Sequence, residues 1–170
     1  ILYAPTFRDN NHISGKGYSF ELQLNLDNLM SQLNDDYIIL FRSHYLIADS
    51  IDFKKYYNFI YDVSLYDDIS NLYVISDILI TDYSSAFFDF ANLKRPILFY
   101  MYDKYEYKNS IRDFYIDLSE LPGCIVENEN ELINKLKNVD NYYNEKYKKF
   151  NRKYNYLEDG NASQRVIDKI

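Results

Sequence analysis

The densest cluster of side chains able to do chemistry is Thr81-Asp82-Tyr83-Ser84-Ser85. It follows the apolar run Ile78-Leu79-Ile80 and precedes a helical period, so it is predicted to join a buried strand to a helix. In an open α/β sheet, ligands bind outside the carboxyl ends of the strands. A helix start at that edge offers unbonded N–H groups and a positive dipole end to an anion. The hydroxyls of Ser84 and Ser85 add donors, which makes the segment a candidate phosphate seat without a Gly-rich loop. The plainer reading, a serine that only caps the helix, predicts the same residue types. Asp89 lies four residues beyond Ser85. It is placed to accept hydrogen bonds from ribose hydroxyls, or to stand as a surface acid that the helix dipole favours.

His44 ends the stretch Arg42-Ser43-His44 after a second predicted strand. At that edge a histidine can serve as general acid or base, or donate to a leaving phosphate. Arg8 follows the first predicted strand, and Arg112 lies in a Tyr-rich loop after the fifth. Arginine suits two-pronged contact with phosphate, although its default in an acidic chain is a surface ion pair. His12 falls in the polar stretch Asn10-Asn11-His12-Ile13-Ser14-Gly15, which reads as a flexible loop without a role. The acid pairs Asp35-Asp36 and Asp67-Asp68 fit loops or helix starts better than a metal site. No metal site is expected, and neither a nucleophile elbow nor a Walker sequence is present.

These residues need a scaffold that brings strand ends together. Ile1–Tyr3, Tyr37–Phe41, Ile60–Val63, Ile78–Thr81, Ile97–Tyr100 and Cys124–Val126 are the strand candidates. Most are near-continuous apolar runs, as expected of strands buried on both faces of a parallel sheet. Helical periods lie between them. Leu22, Leu26, Leu29, Met30 and Leu33 share one helix face. Asp67–Ser76, Ser85–Leu93 and Glu131–Val139 carry similar patterns. Asn128, three residues before Glu131, gives a capping-box-like start, and Pro96 closes the helix before it. This alternation predicts an α/β fold: a doubly wound, mainly parallel, Rossmann-like sheet of about six strands. The expected organisation is one domain over residues 1–170, with a C-terminal helical segment at about 130–170.

Composition removes several function classes. The 170 residues carry 19 Lys+Arg against 26 Asp+Glu, a net charge of -7, which argues against a nucleic-acid coat. One cysteine, Cys124, excludes an intramolecular disulfide framework. No run approaches the roughly 18 apolar residues of a membrane span, and no signal peptide is expected. The chain opens on Ile1-Leu2-Tyr3 without an initiator Met, which predicts that a longer protein contains it.

Asn141–Asn155 differs from the rest. Tyr143, Tyr147, Phe150 and Tyr154 recur at helical spacing, and Lys146, Lys148, Lys149, Arg152 and Lys153 surround a lone Glu145. This predicts a helix that packs its aromatic stripe and solvates its charges. The alternative is contact with an anionic lipid or polymer.

Taken together, these segments resemble the CDP-glycerol glycerophosphotransferase family, whose members build teichoic acids and related polyol-phosphate polymers. The stretches that carry the resemblance begin with Tyr3-Ala4-Pro5-Thr6-Phe7-Arg8-Asp9, Arg42-Ser43-His44-Tyr45 and Asp62-Val63-Ser64-Leu65-Tyr66-Asp67-Asp68-Ile69. The most specific is Ser76 through Ala91, with Ile80-Thr81-Asp82-Tyr83-Ser84-Ser85 and Phe88-Asp89-Phe90 inside it. Arg95-Pro96, Tyr102-Asp103, Tyr107, Arg112, Pro122-Gly123 and Asp159-Gly160-Asn161-Ala162-Ser163 continue the match. Two departures stand out. The family pattern has Arg-Gly-Phe-Tyr where this chain has Arg112-Asp113-Phe114-Tyr115, and its Trp-His-Gly stretch of a preceding half has no counterpart here.

The resemblance implies a GT-B architecture of two Rossmann-like halves, this chain being the C-terminal, donor-binding half. It implies transfer of polyol phosphate from CDP-glycerol or CDP-ribitol to a growing polymer or lipid-linked acceptor, with release of CMP and no cofactor. His44 is then the catalytic candidate. Arg8, Ser84, Ser85 and Arg112 would hold the donor phosphates. Asp89 would hold the ribose, seven residues before Pro96 as GT-B donor domains place such an acid. Backbone near Val63 and Ser64 would read the cytosine, with Thr6 and Asp82 in support. The implied partners are the donor, the acceptor and a preceding half of the same chain, with peripheral contact at the inner face of the cell membrane and no nucleic acid. The alternatives are a GT-B enzyme using a nucleotide-sugar, or a non-catalytic polymer- or membrane-binding module.

Overall fold

The computed structural model describes residues 1–6, 12–13, 17–18, 22–43, 52–108 and 116–170. Its strands are β1 (Leu2–Tyr3), β2 (His12–Ile13), β3 (Gly17–Tyr18), β4 (Ile39–Phe41), β5 (Ile60–Asp62), β6 (Leu79–Thr81), β7 (Ile97–Tyr100) and β8 (Cys124–Val126). Its helices are α1 (Leu26–Leu33), α2 (Ile69–Ile75), α3 (Ala86–Phe90), α4 (Lys104–Glu106), α5 (Glu129–Lys137), α6 (Glu145–Tyr154) and α7 (Ala162–Ile167).

Six strands form one sheet in the order β5-β4-β1-β6-β7-β8, every pair parallel. Counted along the chain, that is third, second, first, fourth, fifth, sixth, the doubly wound order. The direction of winding therefore reverses between β1 and β6, where Leu2 stands opposite Leu79.

The central strands are apolar because both faces are covered, whereas the edge strand β5 exposes Tyr61 and Asp62. Ile1, Tyr3, Ile78, Ile80, Leu98 and Tyr100 point to one face, where Leu29 and Leu33 of α1 and Leu132, Ile133 and Leu136 of α5 complete the core. Leu2, Leu79, Ile97 and Phe99 point to the other, against Leu72 and Tyr73 of α2, Phe87 and Phe90 of α3, and Tyr147 and Phe150 of α6. Adjacent residues thus serve opposite cores, as the strand period of two requires.

Side chains set the helix starts. Asn25, Asp68, Asn128 and Asn144 accept from backbone N–H groups in the first turns of α1, α2, α5 and α6. The apolar period that begins at Leu22 becomes helical only at Leu26, because Asn25 caps it. Helix α5 begins at Glu129, and Asn128 Oδ1 accepts from Glu131 N at 2.9 Å as the spacing predicts. The reciprocal half of that capping box differs: Glu131 Oε2 accepts from Glu127 N, at 3.2 Å. The far end of α2 is closed by Arg95, whose Nη1 donates to the carbonyls of Val74 at 2.7 Å and Ser76 at 2.6 Å.

Two segments depart from the sequence reading. His12–Ile13 pair antiparallel with Gly17–Tyr18, so His12 belongs to a hairpin and not to a loop. The Tyr-rich segment after β7 contains the short α4.

Candidate active site

The carboxyl edge of the sheet at the β1–β6 boundary is built by two buried side chains. Thr81 Oγ1 donates to the carbonyl of Ala4 at 2.8 Å, tying the end of β6 to the end of β1. Asp82, 3% exposed, accepts at Oδ1 from Thr6 N at 2.8 Å and from Tyr83 N at 2.7 Å. Asp82 and Thr6 therefore come together as a bracket across the ends of β1 and β6.

Ser84 and Ser85 follow directly. Ser84 Oγ accepts from Ala86 N at 3.2 Å and so caps α3, while the exposed Ser85 makes no side-chain capping bond. The plainer capping reading holds for Ser84, and it also leaves the Ser84 O–H proton able to donate outward. Helix α3 continues into a 3-10 turn over Ala91–Leu93 and stops at Lys94, which takes a left-handed φ of 55°. Asp89 is exposed on the first turns of α3. Its carboxylate is felt at Tyr73 of α2: burial first, then Asp89, pushes that phenol up to about 12, and Arg42 opposes the shift.

The ends of β4 and β5 are laced in the same way. Ser43 and Ser64 share a buried hydroxyl contact of 3.0 Å, and Ser43 N also donates to Ser64 Oγ at 3.0 Å. Ser64 N donates to Asp62 Oδ1 at 2.9 Å. Arg42 donates to the carbonyls of Val63 at 3.2 Å and Tyr66 at 2.6 Å. The N–H of Val63 donates to Phe41 O at 2.8 Å, and its carbonyl also accepts from Tyr66 N at 3.0 Å. Val63 and Ser64 are therefore largely committed to the fold. The main-chain groups of Leu65, 75% exposed, make no hydrogen bond among the described residues.

Arg8, His44 and Arg112 lie outside the described residues, and the structure leaves their placement unstated. Thr6 and Ser43, the described residues that precede residues 7–11 and 44–51, stand at this carboxyl edge.

Three further side chains matter here that residue spacing did not single out. Tyr83 donates its hydroxyl to Asp103 Oδ1 at 2.9 Å, and its ring stacks on Tyr107 at 3.5 Å between centroids. The loop after β7 is thereby fastened beside Ser84. In a chain with 20 tyrosines no spacing rule marks this pair; only their presence in the family-like stretches hinted at it. At the other end of α3, Asn151 of α6 and Asn155 just past its end donate to the carbonyls of Ala91 at 2.9 Å and Phe88 at 2.8 Å. Tyr147 extends the same ladder, donating to Arg95 O at 2.9 Å. A helix end leaves carbonyls unbonded, and α6 supplies the donors. A cleft of about 430 Å³ beside Pro96, Gly123 and Lys135 opens at the opposite, amino edge of β7 and β8, away from this cluster.

The model of the CDP-glycerol:poly(glycerophosphate) glycerophosphotransferase family matches residues 1–170. The chain belongs to this family. Among curated members of the glycerophosphotransferase family, the chain is 49% identical to a teichoic acid glycerol-phosphate transferase of Staphylococcus aureus, over 100% of the chain and 44% of that protein. It is 44% identical to a teichoic acid poly(glycerol phosphate) polymerase of Bacillus spizizenii, again over 100% of the chain and 44% of that protein. A poly(ribitol-phosphate) polymerase of the same organism is 38% identical, over 100% of the chain and 27% of that protein. The solved wall teichoic acid polymerase TagF superposes with a TM-score of 0.88 at 46% identity, over 98% of this chain and 42% of that one. A TagF variant soaked with CDPG superposes with a TM-score of 0.84 at 43% identity, over 98% of this chain and 40% of that one. The chain spans less than half the length of each of these glycerophosphotransferase relatives.

Proposed function

We propose that this chain is the donor-binding half of a CDP-polyol phosphotransferase, a Rossmann-like half of a GT-B architecture. The observation that carries the proposal is the family-specific Thr81–Ser85 segment standing at the strand-order reversal, where open α/β sheets bind nucleotides. Glycerol is the favoured polyol, because glycerol-phosphate enzymes are the more similar relatives.

In the proposed reaction a terminal hydroxyl of the acceptor attacks the β-phosphorus of the CDP-polyol. A new P–O bond forms, the bond to the bridging oxygen breaks, and CMP leaves with that electron pair. Phosphoryl transfer needs position and charge compensation more than covalent help. Ser84 and Ser85, with Arg8 and Arg112, hold the pyrophosphate, and His44 donates to the departing phosphate. Asp89 receives the ribose hydroxyls. The cytosine is read by backbone at the end of β5, and the engagement of Val63 and Ser64 moves that contact toward Leu65. The base that accepts the attacking hydroxyl's proton belongs to the other half, as does most of the acceptor site. The complete protein works from the cytoplasmic side of the membrane, with no cofactor. Among the described residues, no helix is long and apolar enough to cross a membrane.

Calorimetry of the chain with CDP-glycerol, CDP-ribitol, UDP-GlcNAc and CMP tests this reading. Cytidine ligands bind and UDP-GlcNAc does not; Ser84→Ala with Ser85→Ala weakens both CDP-polyols more than CMP. Preference for UDP-GlcNAc, or indifference to the double substitution, overturns it.

A further inference from the structure

Helix α6 presents two chemically different faces. Tyr147, Phe150, Asn151 and Asn155 face α3 and the turn into β7. Lys146, Lys148, Lys149, Arg152 and Lys153 occupy the outward arc. The only acid on that helix is Glu145, in the first turn, where the dipole favours it. In a chain of net charge -7, this is a local reversal of sign.

Internal pairing absorbs part of the charge. Lys148 lies 2.9 Å and Arg152 3.8 Å from Glu145, and Lys153 lies 2.6 Å from Glu120. Three cations thus share two carboxylates. Lys146 and Lys149 are exposed and make no ion pair among the described residues. With Ser119, Phe150 and Lys153 they line a groove that also holds Glu120 and Glu145, the two carboxylates already paired with Lys153, Lys148 and Arg152.

We infer that the outward face of α6 is a docking tract for a polyanion whose charges are phosphodiesters: the growing polyol-phosphate chain, held outside the reaction centre. The inference rests on the function proposed above. Direction supports it. Tyr147, near the start of α6, bonds Arg95 beyond α3, and Asn155, just past its end, bonds Phe88 within α3. The two helices therefore run antiparallel, and the cationic row leads toward the edge that bears Ser84 and Ser85. Its reach is about 15 Å for ten residues, enough to meet successive charges of one chain. Lysines on flexible stems suit repeated contacts with phosphodiesters that need no fixed geometry. A lipid surface fits less well. A helix that lies in a membrane buries an apolar face in it, whereas the aromatic side chains of α6 turn inward: Tyr147 and Phe150 are 0% and 2% exposed, and the half-buried Tyr154 packs on Phe88 and Phe150.

The complete gene product that contains this chain is the protein to test, with Lys146→Gln and Lys149→Gln together. Binding is measured to a long poly(glycerol phosphate) chain and to phosphatidylglycerol vesicles, and CMP release is followed with a short acceptor carrying one glycerol phosphate unit. The expected result is a roughly two- to tenfold weaker affinity for the long chain at low salt. The loss shrinks at high salt, is absent from Lys146→Arg with Lys149→Arg, and leaves CMP release with the short acceptor unchanged. Undiminished affinity for the long chain overturns the inference. So does an equal loss with the short acceptor, or a loss confined to vesicles. A parent protein that releases no CMP from CDP-glycerol sinks the proposed function instead, and the binding comparison still reads the tract.

Discussion

The carboxylate of Asp82 accepts a hydrogen bond from the backbone N–H of Thr6 at 2.8 Å, across the line where the strand order reverses. The same oxygen accepts from Tyr83 N at 2.7 Å. One buried acid therefore sets the first residues of two loops that leave the sheet on either side of the proposed donor site. The hydroxyl of Thr81, bonded to Ala4 O, does the same one residue earlier. Rigidity at this edge is built from side chains because the two strands have already ended.

Substitution of Asp82 separates its charge from its shape. Asp82→Ala strands two part-buried N–H donors, each worth about 1–3 kcal/mol when fully desolvated, so a loss of about 2 kcal/mol is expected in urea unfolding. Asp82→Asn keeps an acceptor oxygen and should cost about 1 kcal/mol. Donor affinity should fall in the same order. An alanine variant as stable as the parent shows that the bracket is not what holds the edge.

The amide ladder from α6 predicts an unequal pair. Asn155→Ala removes the donor to Phe88 O and should cost about 1 kcal/mol, with a weaker donor affinity because Phe88 adjoins Asp89. Asn151→Ala removes the donor to Ala91 O, but it also removes an Oδ1 that is buried with no partner among the described residues. That deletion relieves a desolvated acceptor, so its net cost should be smaller. Thermal midpoints of the two variants, read beside CDP-glycerol titrations, check the order.

The two kinds of information in the chain were unequally legible. All six sheet strands could be read as mainly apolar runs such as Ile97–Tyr100, because burial on both faces favours them, and the polar Thr81 and Asp62 stand only at strand ends. Caps such as Asn128 were legible because their chemistry is local. The hairpin at His12–Tyr18 was not, since Asn10–Gly15 is polar and has no alternation to read. At the candidate site, Ser84 and Asp89 were legible as candidates from their place between strand and helix. The engagement of Val63 and Ser64 did not, because Arg42 and Asp62 act through loop geometry that spacing does not encode. Asn151 and Asn155 carry no signal in the sequence, because their bonds depend on the packing of α6 against α3.

Two glycines should respond differently to alanine. A Cβ on Gly123 would stand 1.9 Å from the Ile97 carbonyl oxygen, a main-chain atom that cannot swing away. Gly123→Ala should therefore cost about 3 kcal/mol, the upper range for overpacking, and disturb the pairing of β7 with β8. Gly160 has φ +83° and open space around it. Gly160→Ala meets only backbone strain, about 1–2 kcal/mol. Denaturation midpoints that fail to rank Gly123→Ala as the worse contradict the close approach.

The contact between Asp159 and Arg165 gives the segment before α7 an acid-sensitive lock. Arg165 Nη1 lies 2.6 Å from Asp159 Oδ1, and Asn161 N donates to the same oxygen at 2.9 Å. The arginine hydrogen bond first, then the Asn161 N–H, lowers the Asp159 carboxyl to about 2. A depressed folded value means that the ionised acid favours the ordered segment. That contribution is complete above the ordinary carboxylate value near ~4 and is lost as pH falls toward 2. Both partners face solvent, so salt should weaken the lock. Carboxyl-carbon NMR of Asp159 should report the low midpoint, with the Asn161 amide moving in step. Arg165→Gln should raise the midpoint without fully restoring it, since the Asn161 N–H stays in place. A midpoint that does not move on Arg165→Gln assigns the depression to the turn alone and removes Arg165 from the lock.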